Sequence, residues 1–87
     1  MRIVICEDSV LLREGLVRLL EDAGHEVVAA LGDTDGLTDA VADLDPQLCI
    51  LDVRLPPTRT DEGIRAAVSL RASRPDLPVL VLSQYVE

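Results

Sequence analysis

Four short apolar runs divide the chain and predict the strands of a buried sheet. They occupy residues 3–6, 27–31, 48–51 and 79–82. None of these runs contains a charged side chain, and β-branched residues are frequent in them. Uninterrupted runs of this kind are typical of strands that are covered on both faces of a parallel sheet.

Between the runs, apolar residues recur at the three- and four-residue spacing of amphipathic helices. The predicted inward stripes are Leu12, Leu16, Leu19, Leu20 and Ala23 in the first helix, Leu37, Ala40, Val41 and Leu44 in the second, and Ile64, Ala67, Val68 and Ala72 in the third. The expected caps, in the same order, are Ser9 or Asp8, Thr34 or Asp33, and Asp61 or Thr60. We expect the first helix to end at Gly24 and the third near Pro75. Regular alternation of strands with helices predicts right-handed βαβ units and a doubly wound parallel α/β sheet, in one domain that spans residues 1–87.

The composition narrows the choice of partners and of compartment. The chain of 87 residues has 16 acidic and 8 basic residues, and its net charge of -8 disfavours direct contact with nucleic acid or with anionic membranes. Cys6 and Cys49 lie inside apolar runs and are interpreted as buried thiols, since a secreted domain of this size is usually rich in disulfides. No signal peptide or membrane span is predicted, and the cytoplasm is the expected location.

Polar residues that could carry chemistry follow three of the predicted strands. Glu7 and Asp8 come after the first strand, Asp52 ends the third, and Ser83 follows the fourth. Ligands of open parallel sheets bind at the carboxyl ends of the strands. Carboxylates gathered there repel one another, so they either raise a pKa or hold a cation, and an oxygen-only set favours Mg²⁺. Taken alone, Asp52 could simply cap the loop that follows it.

Four segments of the chain, residues 4–8, 48–57, 61–64 and 79–83, together form a recognisable pattern. With them the chain resembles the receiver domain of bacterial two-component response regulators, of the type attached to a LuxR/NarL-like helix-turn-helix output domain. The resemblance implies a flavodoxin-like sheet with strand order 2-1-3-4. It also implies a signalling domain rather than an enzyme.

The resemblance further implies the roles of individual residues. Asp52 is expected to accept a phosphoryl group from a sensor histidine kinase. Glu7, Asp8, Asp52 and the backbone carbonyl of Arg54 are expected to hold Mg²⁺. Ser83 is expected to be the switch hydroxyl that binds the phosphoryl oxygen. Phosphorylation is expected to switch a DNA-binding output domain that is not present in this chain.

Receivers normally continue through a final α-β-α segment, so the resemblance implies that this chain is incomplete at its C-terminus. No lysine occurs in it, although receivers use one beside the phosphoryl group, and Gln84 replaces a residue that is usually small. We therefore expect an intact parent protein to be phosphorylated and this chain to react poorly. We also expect self-association through the fourth strand or through an uncovered face of the sheet.

Three other functions remain as alternatives. A pseudo-receiver would have the same fold and would act as an interaction module without phosphorylation. A phosphatase with an aspartate nucleophile would need a second acid two residues after Asp52, where Arg54 stands. A flavin-binding domain is disfavoured because the loop after the first strand is acidic and would repel the phosphate of the cofactor.

Overall fold

The computed structural model describes residues 1–52 and 62–82, in which strands and helices alternate as predicted. In chain order the elements are β1 (Arg2–Cys6), α1 (Val10–Asp22), β2 (Glu26–Leu31), α2 (Leu37–Leu44), β3 (Leu48–Asp52), α3 (Glu62–Ser73) and β4 (Val79–Leu82). Each predicted strand agrees with the observed one to within one residue at either end. The continuous apolar runs therefore located the strands correctly.

The strands form one parallel sheet in the order β2-β1-β3-β4. At its centre, β1 pairs with β3, with Val4 opposite Cys49 and Cys6 opposite Leu51. This order confirms the predicted doubly wound, flavodoxin-like arrangement. It places the carboxyl ends of β1 and β3 side by side at one edge of the sheet.

Helices cover both faces of the sheet, which explains why the central strands are apolar throughout. On one face, α1 packs over Ile3, Ile5 and Ile50. On the other face, residues of α2 and α3 pack over alternate positions of the same strands. That second cluster consists of Val4, Cys6, Leu37, Val41, Cys49, Leu51, Leu70 and Leu77.

Helix α1 buries a narrower stripe than the sequence predicted. The residues that pack on the sheet are Leu16, Val17 and Leu20. Leu19, predicted to face inward, is 68% exposed, and Ala23 is also exposed. The helix lies on one face of a single sheet, so apolar residues at the margins of its stripe stay in solvent. Gly24, at φ 92°, follows the end of the helix as predicted.

One predicted helix cap is present and another is wrong. The Ser9 hydroxyl accepts a hydrogen bond from a main-chain amide in the first turn of α1, 3.3 Å away. Helix α2 instead begins after Gly36, which has a φ of 75° and, as a glycine, no side chain that could cap the helix. Thr34 and Asp33 lie too early in the chain, and the Asp33 carboxylate accepts a hydrogen bond from the Asp35 amide instead. A glycine turn has replaced a side-chain cap at this helix.

The face that α3 presents to the sheet agrees with the predicted one only at Ala67. Of the residues predicted to face inward, Ile64 and Val68 are 49% and 66% exposed, and Ala72 is exposed as well. The buried or packed residues of this helix are Gly63, Ala66, Ala67 and Leu70. Small residues let the helix lie close to the sheet, so this face is buried although it is less apolar. The predicted caps Thr60 and Asp61 lie outside the described residues.

Within residues 1–52 and 62–82, no helix is both long enough and apolar enough to cross a membrane.

Candidate functional site

Three carboxylates meet at the carboxyl edge of the two central strands. The pairing of Cys6 with Leu51 brings the next residues, Glu7 and Asp52, side by side. Asp8 follows in the turn before α1, and one oxygen from each of the three side chains lies within 4.8 Å of the others. The order of the strands therefore brings Asp52 close to Glu7 and Asp8, which lie 45 and 44 positions before it in the chain.

Two other predicted site residues cannot be placed in this geometry. Arg54 and Ser83 lie outside the described residues. Their predicted roles, as a carbonyl ligand and as the switch hydroxyl, remain predictions.

The acidic cluster, defined as Glu7, Asp8 and Asp52, is buried on one side and open on the other. Glu7 and Asp52 are 2% and 5% exposed, whereas Asp8 is half-buried. Charged groups are rarely buried this deeply without a partner of opposite charge or a metal ion. Because Asp8 is only half-buried, solvent or a ligand can approach the cluster from the side of Asp8.

The cluster has a marked electrostatic consequence at Glu7. The pKa of Glu7 is raised to about 7, chiefly by burial and also by a hydrogen bond to Asp52 and the charges of Asp52 and Asp8, against a lowering effect of the Ser9 amide. Near neutral pH this side chain therefore holds a proton for much of the time and shares it with Asp52. A cation bound among the carboxylates would relieve the same repulsion by replacing that proton.

The main chain around Glu7 is tied to its surroundings at several atoms. Its amide donates to the Leu31 carbonyl over 2.8 Å, and its own carbonyl accepts a hydrogen bond from the Arg13 guanidinium over 2.8 Å. Its carboxylate accepts a hydrogen bond from the Ser9 amide over 3.2 Å. Sequence reasoning missed Arg13, which lies outside the predicted inward stripe of the first helix. The signal available was a long cationic side chain in the helix that follows the acidic pair.

The two cysteines belong to the apolar cluster on the α2 and α3 side of the sheet. Both cysteines are free and buried, as predicted. Burial raises the pKa of Cys6 to about 12, with smaller contributions from Cys49 and neighbouring carboxylates, and burial raises the pKa of Cys49 to about 12. The Cys6 thiol donates to the Asp33 carbonyl over 2.9 Å, which fastens the end of β1 to the loop after β2.

The donor set determines what the acidic cluster can do chemically. Its ligands are all carboxylate oxygens, which suit a hard cation such as Mg²⁺ and not a soft metal.

A family model described as the response regulator receiver domain matches residues 3–87. The chain belongs to this family.

Curated relatives of this receiver domain include both regulators and an enzyme. The chain is 36% identical over 84 residues to the transcriptional regulatory protein PdtaR of Mycobacterium tuberculosis, a match that covers 97% of the chain and 39% of the relative. It is 33% identical over 87 residues to protein-glutamate methylesterase/protein-glutamine glutaminase 2 of Caulobacter vibrioides, covering 100% of the chain and 24% of the relative. The chain thus spans less than half the length of either relative.

Solved receiver structures share its fold. The signal receiver domain of NarL from Mycobacterium tuberculosis superimposes with a TM-score of 0.84 at 30% identity, covering 99% of this chain and 68% of that one. The isolated REC domain of RcsB from Salmonella enterica serovar Typhimurium, solved in the presence of the phosphomimetic BeF3-, gives 0.87 at 24% identity, covering 100% and 64%. The latter comparison supports the fold alone.

Proposed function

We propose that this chain is the phosphoacceptor domain of a two-component response regulator and that Asp52 is the residue phosphorylated. The observation that carries the proposal is the position of Asp52 in a receiver-family chain. It ends a central strand, is 5% exposed, and lies with Glu7 and Asp8 in a cluster whose oxygens are within 4.8 Å. Membership of the family supports the reaction type, and the cluster supports the choice of residue.

In the proposed reaction, an Asp52 carboxylate oxygen attacks the phosphorus of a phosphohistidine on a sensor histidine kinase. The new O–P bond forms as the P–N bond breaks, and the imidazole leaves with the electron pair and takes up a proton. The product is an acyl phosphate on Asp52. A carboxylate is a weak nucleophile, so holding it in line with the phosphorus contributes much of the rate.

The residues of the cluster fit a bound Mg²⁺. Glu7, Asp8 and Asp52 would supply carboxylate oxygens, and the Arg54 carbonyl completes the proposed set. When bound, Mg²⁺ neutralises negative charge on the phosphoryl oxygens during transfer. Glu7 must lose its shared proton to serve as a ligand, and Ser83 is proposed to bind the phosphoryl group afterwards.

The wider role that we propose is control of an output domain by this phosphorylation. Relatives such as PdtaR support a transcriptional output, and a LuxR/NarL-like DNA-binding domain is our specific proposal. With a net charge of -8, the chain itself is not expected to contact DNA. We propose that it acts in the cytoplasm as a non-enzymatic domain spanning residues 1–87, although the methylesterase shows that a receiver-containing relative can be an enzyme.

Phosphorylation can be tested by intact mass spectrometry after incubation with a small-molecule phosphodonor and Mg²⁺. We expect the 87-residue chain to gain slowly, and at most once, the mass of a phosphoryl group. Asp52→Asn should abolish the gain, whereas Asp43→Asn, which makes the same change at an exposed site on α2, should not. Equal labelling of Asp52→Asn and the wild type would refute the assignment.

A further inference from the structure

Arg13 connects helix α1 to the end of strand β1. Its guanidinium Nη1 donates a hydrogen bond to the main-chain carbonyl of Glu7 over 2.8 Å, in a partly buried position. Its own amide donates to the Ser9 carbonyl over 2.8 Å, so the residue belongs to the first hydrogen-bonded turn of α1. The side chain therefore reaches back across the turn that contains Glu7 and Asp8.

Gly32 leaves room for this guanidinium at the end of β2. A Cβ atom at position 32 would lie 3.1 Å from Nη1 of Arg13, which is closer than ordinary van der Waals contact. The guanidinium thus lies against the main chain just after β2 while it binds the main chain just after β1. The neighbouring residue Leu31 accepts the hydrogen bond from the Glu7 amide, so β2 and Arg13 hold the same residue.

Both ends of Glu7 are consequently fixed by groups outside its own strand. Leu31 holds its amide and Arg13 its carbonyl, while its carboxylate binds the Ser9 amide and Asp52. A small rotation of the Glu7 peptide would move the Glu7 carboxylate. It would also change the direction of the main chain that leads to Asp8. Mg²⁺ requires a nearly ideal octahedral arrangement of oxygens, so its affinity is sensitive to such displacements.

We infer that Arg13, lying against Gly32, is a positioning residue that sets the direction of the Glu7–Asp8 main chain for Mg²⁺ binding. The inference rests on the proposed function. Arg13 acts through a carbonyl and is not itself a ligand. The other arginine of α1, Arg18, is exposed and provides a matched control for the loss of one positive charge.

The test is a Mg²⁺ titration of the 87-residue chain, followed by the amide chemical shifts of Asp8 and Asp52. Arg13→Met keeps most of the aliphatic stem and removes the donor, and we expect it to weaken Mg²⁺ binding about tenfold, as for other residues that orient metal ligands. Arg13→Lys restores a donor and should recover part of this loss. Arg18→Met should bind like the wild type.

A thermal unfolding curve without Mg²⁺ separates positioning from general stability. If Arg13→Met is unfolded at the titration temperature, Arg13→Lys is compared with Arg18→Lys, and only the former should bind more weakly. The inference would be overturned if the wild type responds to Mg²⁺ and Arg13→Met binds Mg²⁺ equally well. If Arg13→Met is unfolded, equal binding by Arg13→Lys would overturn it. The proposed function would stand in either case. If Mg²⁺ does not change the amide shifts of Asp8 or Asp52 in the wild type, both the inference and the proposed function are contradicted.

Discussion

At the scale of single residues, the main feature is that Glu7 and Asp52 are neighbouring acids that are both almost fully buried. Their proximity follows from the pairing of β1 with β3, and their burial follows from the helices on the two faces of the sheet. The pKa of Glu7 rises to about 7 because burial, a shared hydrogen bond and neighbouring negative charge all disfavour its ionised form. This site should therefore respond to pH near neutrality.

The raised pKa of Glu7 gives stability a predictable dependence on pH. A carboxyl group whose pKa is about 7 when folded and near 4.5 when unfolded binds its proton more tightly in the folded chain. Its contribution to the free energy of unfolding is complete below pH 4.5 and is lost as the pH rises through 7. The thermal unfolding midpoint of the metal-free chain should therefore decrease as the pH is raised from about 5 to about 8.

Glu7→Gln should flatten this dependence, because glutamine is neutral throughout the range and can still donate to Asp52. Glu14→Gln changes an exposed glutamate of α1 and should leave the dependence as it is in the wild type. Thermal melts in a pH series measure both variants. An unchanged slope in Glu7→Gln would contradict the position that we assign to the shared proton.

At the scale of elements, the short helix α2 is stable only through its packing. It spans Leu37–Leu44, begins after a glycine without a side-chain cap, and buries Leu37 and Val41. Helices of this length are not stable in isolation, so the apolar contacts of α2 must hold it in place. The loop before α2 also contains Asp33, which binds Cys6 next to the acidic cluster.

Two leucine-to-alanine changes test this dependence on packing. Leu37 is 2% exposed, and Leu37→Ala should lower the free energy of unfolding by about 2 to 5 kcal/mol through lost burial and a cavity. Leu11 in α1 is 86% exposed, and Leu11→Ala should change it by less than about 0.5 kcal/mol. Urea denaturation measures both values. Similar losses at the two positions would show that α2 is not held as described.

The elements also show how far the sequence alone could lead. The positions of β1 and β3 were predictable because a strand that is buried on both faces needs an unbroken apolar run. Strands β2 and β4 have similar apolar runs but lie at the edges of the sheet and are only partly buried. The inward face of α3 was not predictable, because exposed Ile64 and Val68 are more apolar than the small residues that approach the sheet. Burial depends there on how closely a helix can lie against the sheet, which a hydrophobic pattern does not report.

The same distinction applies to the candidate site. Glu7, Asp8 and Asp52 could be predicted to meet because they follow or end two strands that are adjacent in the expected strand order. The carboxyl ends of such strands lie together at one edge of the sheet. The contact of Arg13 with the Glu7 carbonyl could not be predicted, since it depends on the path of one long side chain. The glycine at position 32 that makes room for it is informative only once the partner is known.

At the scale of the whole molecule, the two edges of the sheet differ in their chemistry. In the described part of the chain, β4 pairs with β3 alone, and its residues Leu80 and Val81 are 49% and 38% exposed. Strand β4 contains no charge or proline that would discourage pairing with another chain. The opposite edge strand, β2, begins instead with the exposed Glu26.

We predict that the 87-residue chain self-associates through β4 or the adjoining sheet face. Light scattering should show a mass above that of the monomer, and added salt should increase it by screening the net charge of -8. Leu80→Lys should reduce association. Leu11→Lys places the same charge on an exposed leucine of α1 and should not. A monomer at high concentration in all three proteins would exclude this interface.

The central claim, that Asp52 is the phosphoacceptor, is tested most directly by chemical trapping of the phosphorylated residue. Borohydride reduces an aspartyl phosphate to homoserine and leaves free carboxylates unchanged. The chain contains no lysine, so trypsin cleaves only after arginines and separates Asp8, in peptide 3–13, from Asp52, in peptide 19–54. Tandem mass spectrometry of the phosphorylated, reduced and digested chain should find homoserine at position 52. Homoserine at Asp8, or at another aspartate with Asp52 unmodified, would contradict the account.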